Sequence, residues 1–115
     1  MNTLLKLEEA ITFIASVLLF TLLPFAWWVY LACFLLPDIG MIGYLINTTV
    51  GAATYNLTHH KGIGIALGIA GLLIVNNTII LVGIIMVGHS AFDRLLGYGL
   101  KYNDNFKHTH LGWLK

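Results

Sequence analysis

Charge is what this sequence has least of. Only 10% of its 115 residues are Asp, Glu, Lys or Arg, against roughly 25% in ordinary soluble domains. No formal charge falls between Ala10 and Pro37, and none between Gly62 and Phe92. A single cysteine, Cys33, excludes an internal disulfide. With only two prolines, Pro24 and Pro37, there are few places where a helix is forced to stop. The net charge of +1 gives no reason to expect a nucleic-acid partner.

What is there instead is apolar length. The chain is 58% apolar, with a mean hydropathy of +0.85. A hydrocarbon core ~30 Å thick asks for ~20 apolar residues per helix, and both uncharged runs exceed that. The expected fold class is therefore all-α: a polytopic membrane protein, one domain, built as a four-helix transmembrane bundle. Helices are predicted at about 4–23, 25–46, 50–75 and 79–96, followed by a polar tail over 101–115. Pro24 makes the first turn, with Phe25, Trp27, Trp28 and Tyr30 as an aromatic belt beside it. Pro37 should kink or end the second helix. Asn47-Thr48-Thr49 and Asn76-Asn77-Thr78 read as turns with helix N-caps. Gly64 and Gly68 form a small-residue packing face. Glu8 and Glu9 interrupt the charge pattern of a signal peptide, so the first apolar run is expected to stay as a span.

Lys6, Arg94, Lys101, Lys107 and Lys115 lie at one end of this arrangement, and the turns at Pro24 and Asn76-Asn77 carry no basic residue. Both termini are thereby predicted to face the cytoplasm. Counting ~1.5 Å per residue from those two turns puts Glu8, Glu9, Asp38, His59, His89 and Asp93 in one layer of the inner half of the membrane. Charged groups at such depth cost ~2.5–3.5 kcal/mol each even on the mildest scale, so they face the interior and need partners.

His89 and Asp93 stand one turn apart on one helix face. With Asp38 and His59 they form a candidate ligand set for a divalent metal such as zinc, manganese or iron. The plainer readings are a hydrogen-bonded His89–Asp93 pair, a core histidine at 59 bonded to a backbone carbonyl, and a helix cap at Asp38. Carboxylates neutralised by Arg94 or Lys61 are the other ionic solution. Glu8, Glu9, His108 and His110 are left open as members of the layer.

Four ordered segments carry a resemblance: Pro37 to Tyr44, Gly51 to His59, His89 to Tyr102 and Phe106 to Gly112. Together they resemble a bacterial integral-membrane family known as domain of unknown function 4260. That resemblance implies a compact multi-helix protein of the bacterial inner membrane and brings no activity with it. More weakly, Leu36-Pro37-Asp38 with membrane histidines is similar to membrane-bound metal-dependent hydrolases.

The leading expectation is a polar site opening toward the cytoplasm, acting as a metal-dependent hydrolase on a lipid or amphiphile. Glu9, Asp38 and Asp93 are its candidate catalytic residues, and Tyr55, Asn56, Arg94 and Lys101 its candidate substrate contacts. The expected partners are the bilayer, an amphiphilic ligand and a second copy of the chain. The alternatives are a proton-coupled transporter or channel using the same groups, and a structural helical scaffold.

Overall fold

The structure is a computed structural model, and residues 2–114 are described. Five α-helices follow in order: α1 (Asn2–Phe20), α2 (Trp27–Cys33), α3 (Thr48–Thr58), α4 (Lys61–Leu73) and α5 (Asn77–Leu96). A 3-10 segment, Leu36–Leu45, lies between α2 and α3. Two short strands, β1 (His108–Thr109) and β2 (Gly112–Trp113), form an antiparallel hairpin at the end.

The centre of the molecule is α5. It packs along both α1 and α4, and it touches the 3-10 segment near the site described below. Its limits are local chemistry. Asn76 accepts a bond from the Ile79 amide at 3.1 Å as N-cap. Gly97 ends the helix in the left-handed region at φ 96°, which lets the Tyr98 amide close back on the Asp93 carbonyl at 2.8 Å. Leu81, Ile84 and Ile85 of α5 meet Phe20 of α1 and Tyr30 of α2 in the apolar core.

Two predicted helices are broken. The run expected over 25–46 is α2 followed by the 3-10 segment, with Pro37 in its first turn. Long 3-10 runs are unusual, and this one is held by α3. A Cβ at Gly40 would lie 2.6 Å from the Thr54 carbonyl oxygen, and one at Gly43 would lie 2.7 Å from that of Val50. Only a glycine edge admits so close a neighbour. The helix expected over 50–75 is α3 and α4, separated at His59 and His60. His60 caps α4 by accepting from the Ile63 amide at 3.2 Å. The break frees the His59 carbonyl, which receives the Ser90 hydroxyl at 2.8 Å and the Arg94 guanidinium at 3.2 Å. Hydropathy does not register such a break, because the apolar run after Lys61 resumes at once.

Two segments, Trp27–Leu45 and Asn77–Leu96, are long and apolar enough to cross a membrane. That is narrower than the four spans expected: α4, at 13 residues, covers only ~20 Å. The outward surface is apolar nonetheless, with Leu4, Leu7, Ile11, Ile14 and Leu18 exposed along α1. Of the four aromatics expected in a belt, Trp27 and Trp28 are exposed, Phe25 packs against the apolar core, and Tyr30 is 5% exposed and hydrogen-bonds Ser16 at 2.7 Å. Tyr30 is therefore a core residue, because its hydroxyl finds an internal partner.

Gly83 fixes how closely α4 approaches α5. A Cβ there would come within 2.5 Å of the Gly64 carbonyl oxygen and 2.6 Å of the Gly68 amide nitrogen, while a Cβ on Gly68 itself would meet nothing within 4 Å. We expect Gly83→Ala to destabilise the protein by about 1–3 kcal/mol, measured as thermal unfolding in detergent. Gly68→Ala should leave the transition unchanged or raise it slightly. Equal effects from the two would contradict this packing.

Candidate metal centre

Four side chains from three stretches of chain converge. Asp38 comes from the 3-10 segment, His59 from the end of α3, and His89 and Asp93 from one face of α5. One ligand atom from each can be chosen so that all four lie within 4.8 Å of one another. Asp38 Oδ1 is 3.2 Å from both His59 Nε2 and His89 Nε2. Asp93 Oδ2 is 3.5 and 3.4 Å from the same two nitrogens. A tetrahedral ion with bonds of ~2.0–2.2 Å has six ligand–ligand edges of ~3.3–3.6 Å. The four nitrogen–oxygen separations, 3.2–3.5 Å, are close to that size, while the set as a whole spans up to 4.8 Å.

The rings are fixed from behind. His59 Nδ1 donates to the Tyr55 carbonyl at 2.9 Å, and His89 Nδ1 donates to the Phe34 carbonyl at 2.6 Å. Each neutral ring therefore keeps its proton on Nδ1 and turns the Nε2 lone pair toward the carboxylates. Two lone pairs and two anionic oxygens then face one another, and such a set is stable only around a cation or with extra protons. Carbonyl-oriented imidazoles are the usual outer support of a metal ligand.

Burial is graded across the group. His59 and His89 are 0% and 3% exposed, Asp93 is 13% exposed and Asp38 is 40% exposed. The centre is thus closed on the α5 side and open beside Asp38. The Tyr55 ring stacks on His59 at 3.8 Å, with its hydroxyl donating to Asp93 Oδ2 at 3.3 Å. Phe34 lies against His89 with ring centres 5.0 Å apart.

All four predicted ligands meet, and the other predicted site residues divide. Tyr55 touches the centre. Lys101 is 5% exposed, its ammonium held 4.8 Å from the Tyr55 ring centre and 4.0 Å from that of Phe106. Burial pushes that ammonium below its ordinary pKa, while the Asp93 carboxylate pulls it back up. Glu9 is ion-paired with Lys61, so the pairing weighed for Lys61 exists while Glu9 lies outside the cluster. Arg94 pairs with no carboxylate among the described residues and binds backbone carbonyls of His59 and Tyr98 instead. Glu8 is exposed.

Asn56, expected among the substrate contacts, is a clamp. Its amide donates to the Lys101 carbonyl at 2.8 Å and accepts from the Lys101 amide at 2.6 Å. The tail beyond it folds back rather than extending into solvent, with Lys101 bridged to Thr109. His108 binds Asp104 at 2.8 Å, and His110 accepts from the Leu100 amide at 2.8 Å. Neither histidine joins the cluster. Sequence reasoning also missed the Phe34 carbonyl that orients His89, since backbone acceptors leave no mark on residue type.

The sequence matches the family described as Domain of unknown function (DUF4260) over residues 2–114. The chain belongs to that family. No curated protein matches it, and no solved structure does. The reading of the DUF4260 site therefore rests on its own geometry.

Two outcomes follow. Asn56→Ala should release the tail at a cost of about 1–3 kcal/mol, seen as faster amide exchange over residues 100–114 with α5 unchanged. Separately, the hydrogen bond from His108 holds the Asp104 carboxyl below its ordinary pKa. A carboxyl depressed on folding contributes stability above its unfolded pKa and loses it as pH falls through the folded one. Trp113, stacked on His108 at 4.4 Å, should report that acid transition by fluorescence, and Asp104→Asn should abolish it.

Proposed function

We propose that this protein is an integral membrane metalloprotein whose His59, His89, Asp38 and Asp93 hold one divalent ion such as zinc, manganese or iron, all of which accept imidazole nitrogens and carboxylate oxygens. The observation that carries this is the symmetry of the cluster: each carboxylate oxygen is nearly equidistant from the two imidazole nitrogens, at 3.2 and 3.2 Å for Asp38 and 3.5 and 3.4 Å for Asp93.

The chemistry that follows is hydrolysis of a lipid or another amphiphile. A bound metal supplies Lewis acidity toward water or a substrate oxygen. Asp38, the most exposed ligand, sits where water and substrate would enter. Tyr55 holds Asp93 in orientation through its hydroxyl, and Lys101 offers a positive charge at the same edge. Burial of that ammonium eases its proton loss, which suits a group that hands a proton to a leaving oxygen. Lys6, Lys61 and Arg94 gather at one end of the molecule, supporting a cytoplasmic placement of that end in a bacterial plasma membrane. In this reading the remaining apolar helices join the two long segments in the bilayer, with both termini inside.

A second reading keeps the same residues and replaces the metal with protons. Nε2–carboxylate distances of 3.2 Å also fit imidazolium rings donating to Asp38, as in a proton relay.

Protein purified in detergent without chelator should contain near-stoichiometric metal, lost in His59→Ala and His89→Ala. Stripping the metal should lower the unfolding temperature, and zinc should restore it, because a ligand at about 1,000 times its Kd adds about 4 kcal/mol. Protein that stays metal-free with zinc added, and still dissipates a proton gradient in liposomes, would replace the first reading with the second.

A further inference from the structure

We infer that a cavity of about 630 Å³, separate from the His/Asp cluster, is a binding site for a phosphate-bearing anion. It lies where α1, the start of α4, the end of α5 and the folded-back tail come together, and its ionisable lining is Lys6, Glu9, His60, Lys61, Arg94 and His110, with Asn2 beside them. None of the four cluster residues lines it. Its volume falls in the ~300–1,000 Å³ range of small-ligand sites.

The charge balance favours an anion. Three permanent cations, Lys6, Lys61 and Arg94, face one carboxylate, Glu9, which is paired with Lys61. Lys6 has no carboxylate partner among the described residues. Arg94 gives one bond each to the carbonyls of His59 and Tyr98, leaving three of its five N–H donors free.

The two histidines add donors without needing charge. His60 Nδ1 accepts from the Ile63 amide, and His110 Nδ1 accepts from the Leu100 amide. Each neutral ring must then carry its proton on Nε2, which becomes a hydrogen-bond donor. Burial and the nearby Arg94 and Lys61 charges keep His110 below its ordinary pKa, in accord with a positive field at this end. An Arg fork, two ammonium groups and two imidazole N–H groups match the several oxygens of a phosphate better than the two of a carboxylate. The source is either a soluble phosphate or a phospholipid head group reaching in from the cytoplasmic leaflet.

The test titrates inorganic phosphate into detergent-purified protein at fixed ionic strength. In parallel, native mass spectrometry follows retention of phosphatidylglycerol by protein taken from nanodiscs of phosphatidylcholine with and without it. Binding in either arm should weaken about tenfold in Lys6→Gln and recover in Lys6→Arg, with circular dichroism unchanged. Phosphate binding marks a soluble ligand, and retention of phosphatidylglycerol alone marks a head group. Both measurements are repeated after metal removal, so that failure of the metal reading does not decide this one. No binding in either arm, or binding indifferent to both Lys6→Gln and Arg94→Gln, overturns the inference. So does phosphate binding that disappears with the metal and ignores Lys6.

Discussion

Everything around the polar centre depends on how His59 is satisfied. It is fully buried, and it ends α3 where an unpaired backbone group is costly. Its carbonyl takes Ser90 and Arg94 from α5, its Nδ1 proton goes to the Tyr55 carbonyl, and its Nε2 faces two carboxylates. One residue thereby joins a helix end to α5 and presents a lone pair to the cluster. The aromatic contacts, Tyr55 over His59 and Phe34 beside His89, confine both rings to the orientation their carbonyl bonds require.

How far the sequence could be read depended on whether a residue's cost was visible in its type. Asp38, His59, His89 and Asp93 stood out because ionisable groups in apolar runs need company, and they do meet. The limits of α5 were legible because Asn76 and Gly97 are capping residues of known habit. The split between α3 and α4 was not, since a histidine cap and a freed carbonyl have no compositional signature. The ten-residue 3-10 segment was hidden for a related reason: Pro37 announced a disruption, but its form is set by how Gly40 and Gly43 seat against α3. Asn56 was assigned to ligand contacts because a polar residue near the centre looks available. It is committed to the tail backbone, a partner 45 positions away in the chain.

The apolar surface and the polar chemistry are complementary. Lys6, Glu9, Lys61 and Arg94 line one cavity, while Asp38 and Asp93 meet the two histidines in a separate cluster. Those two groups stay distinct although Asp93 and Arg94 are neighbours in sequence. On α5 consecutive residues diverge by ~100°, so Asp93 faces the imidazoles while Arg94 lines the basic cavity.

The origin of the four ligands has a mechanical meaning. The 3-10 segment carrying Asp38 has few contacts with α5, whereas α4 is seated on α5 through Gly83. An ion held by Asp38, His59, His89 and Asp93 would act as a cross-link, tying the chain between residues 38 and 93 into closed loops. Closing long loops removes entropy from the unfolded ensemble, much as a disulfide does. A chain with one cysteine would thus gain from a metal the stapling it lacks from sulfur.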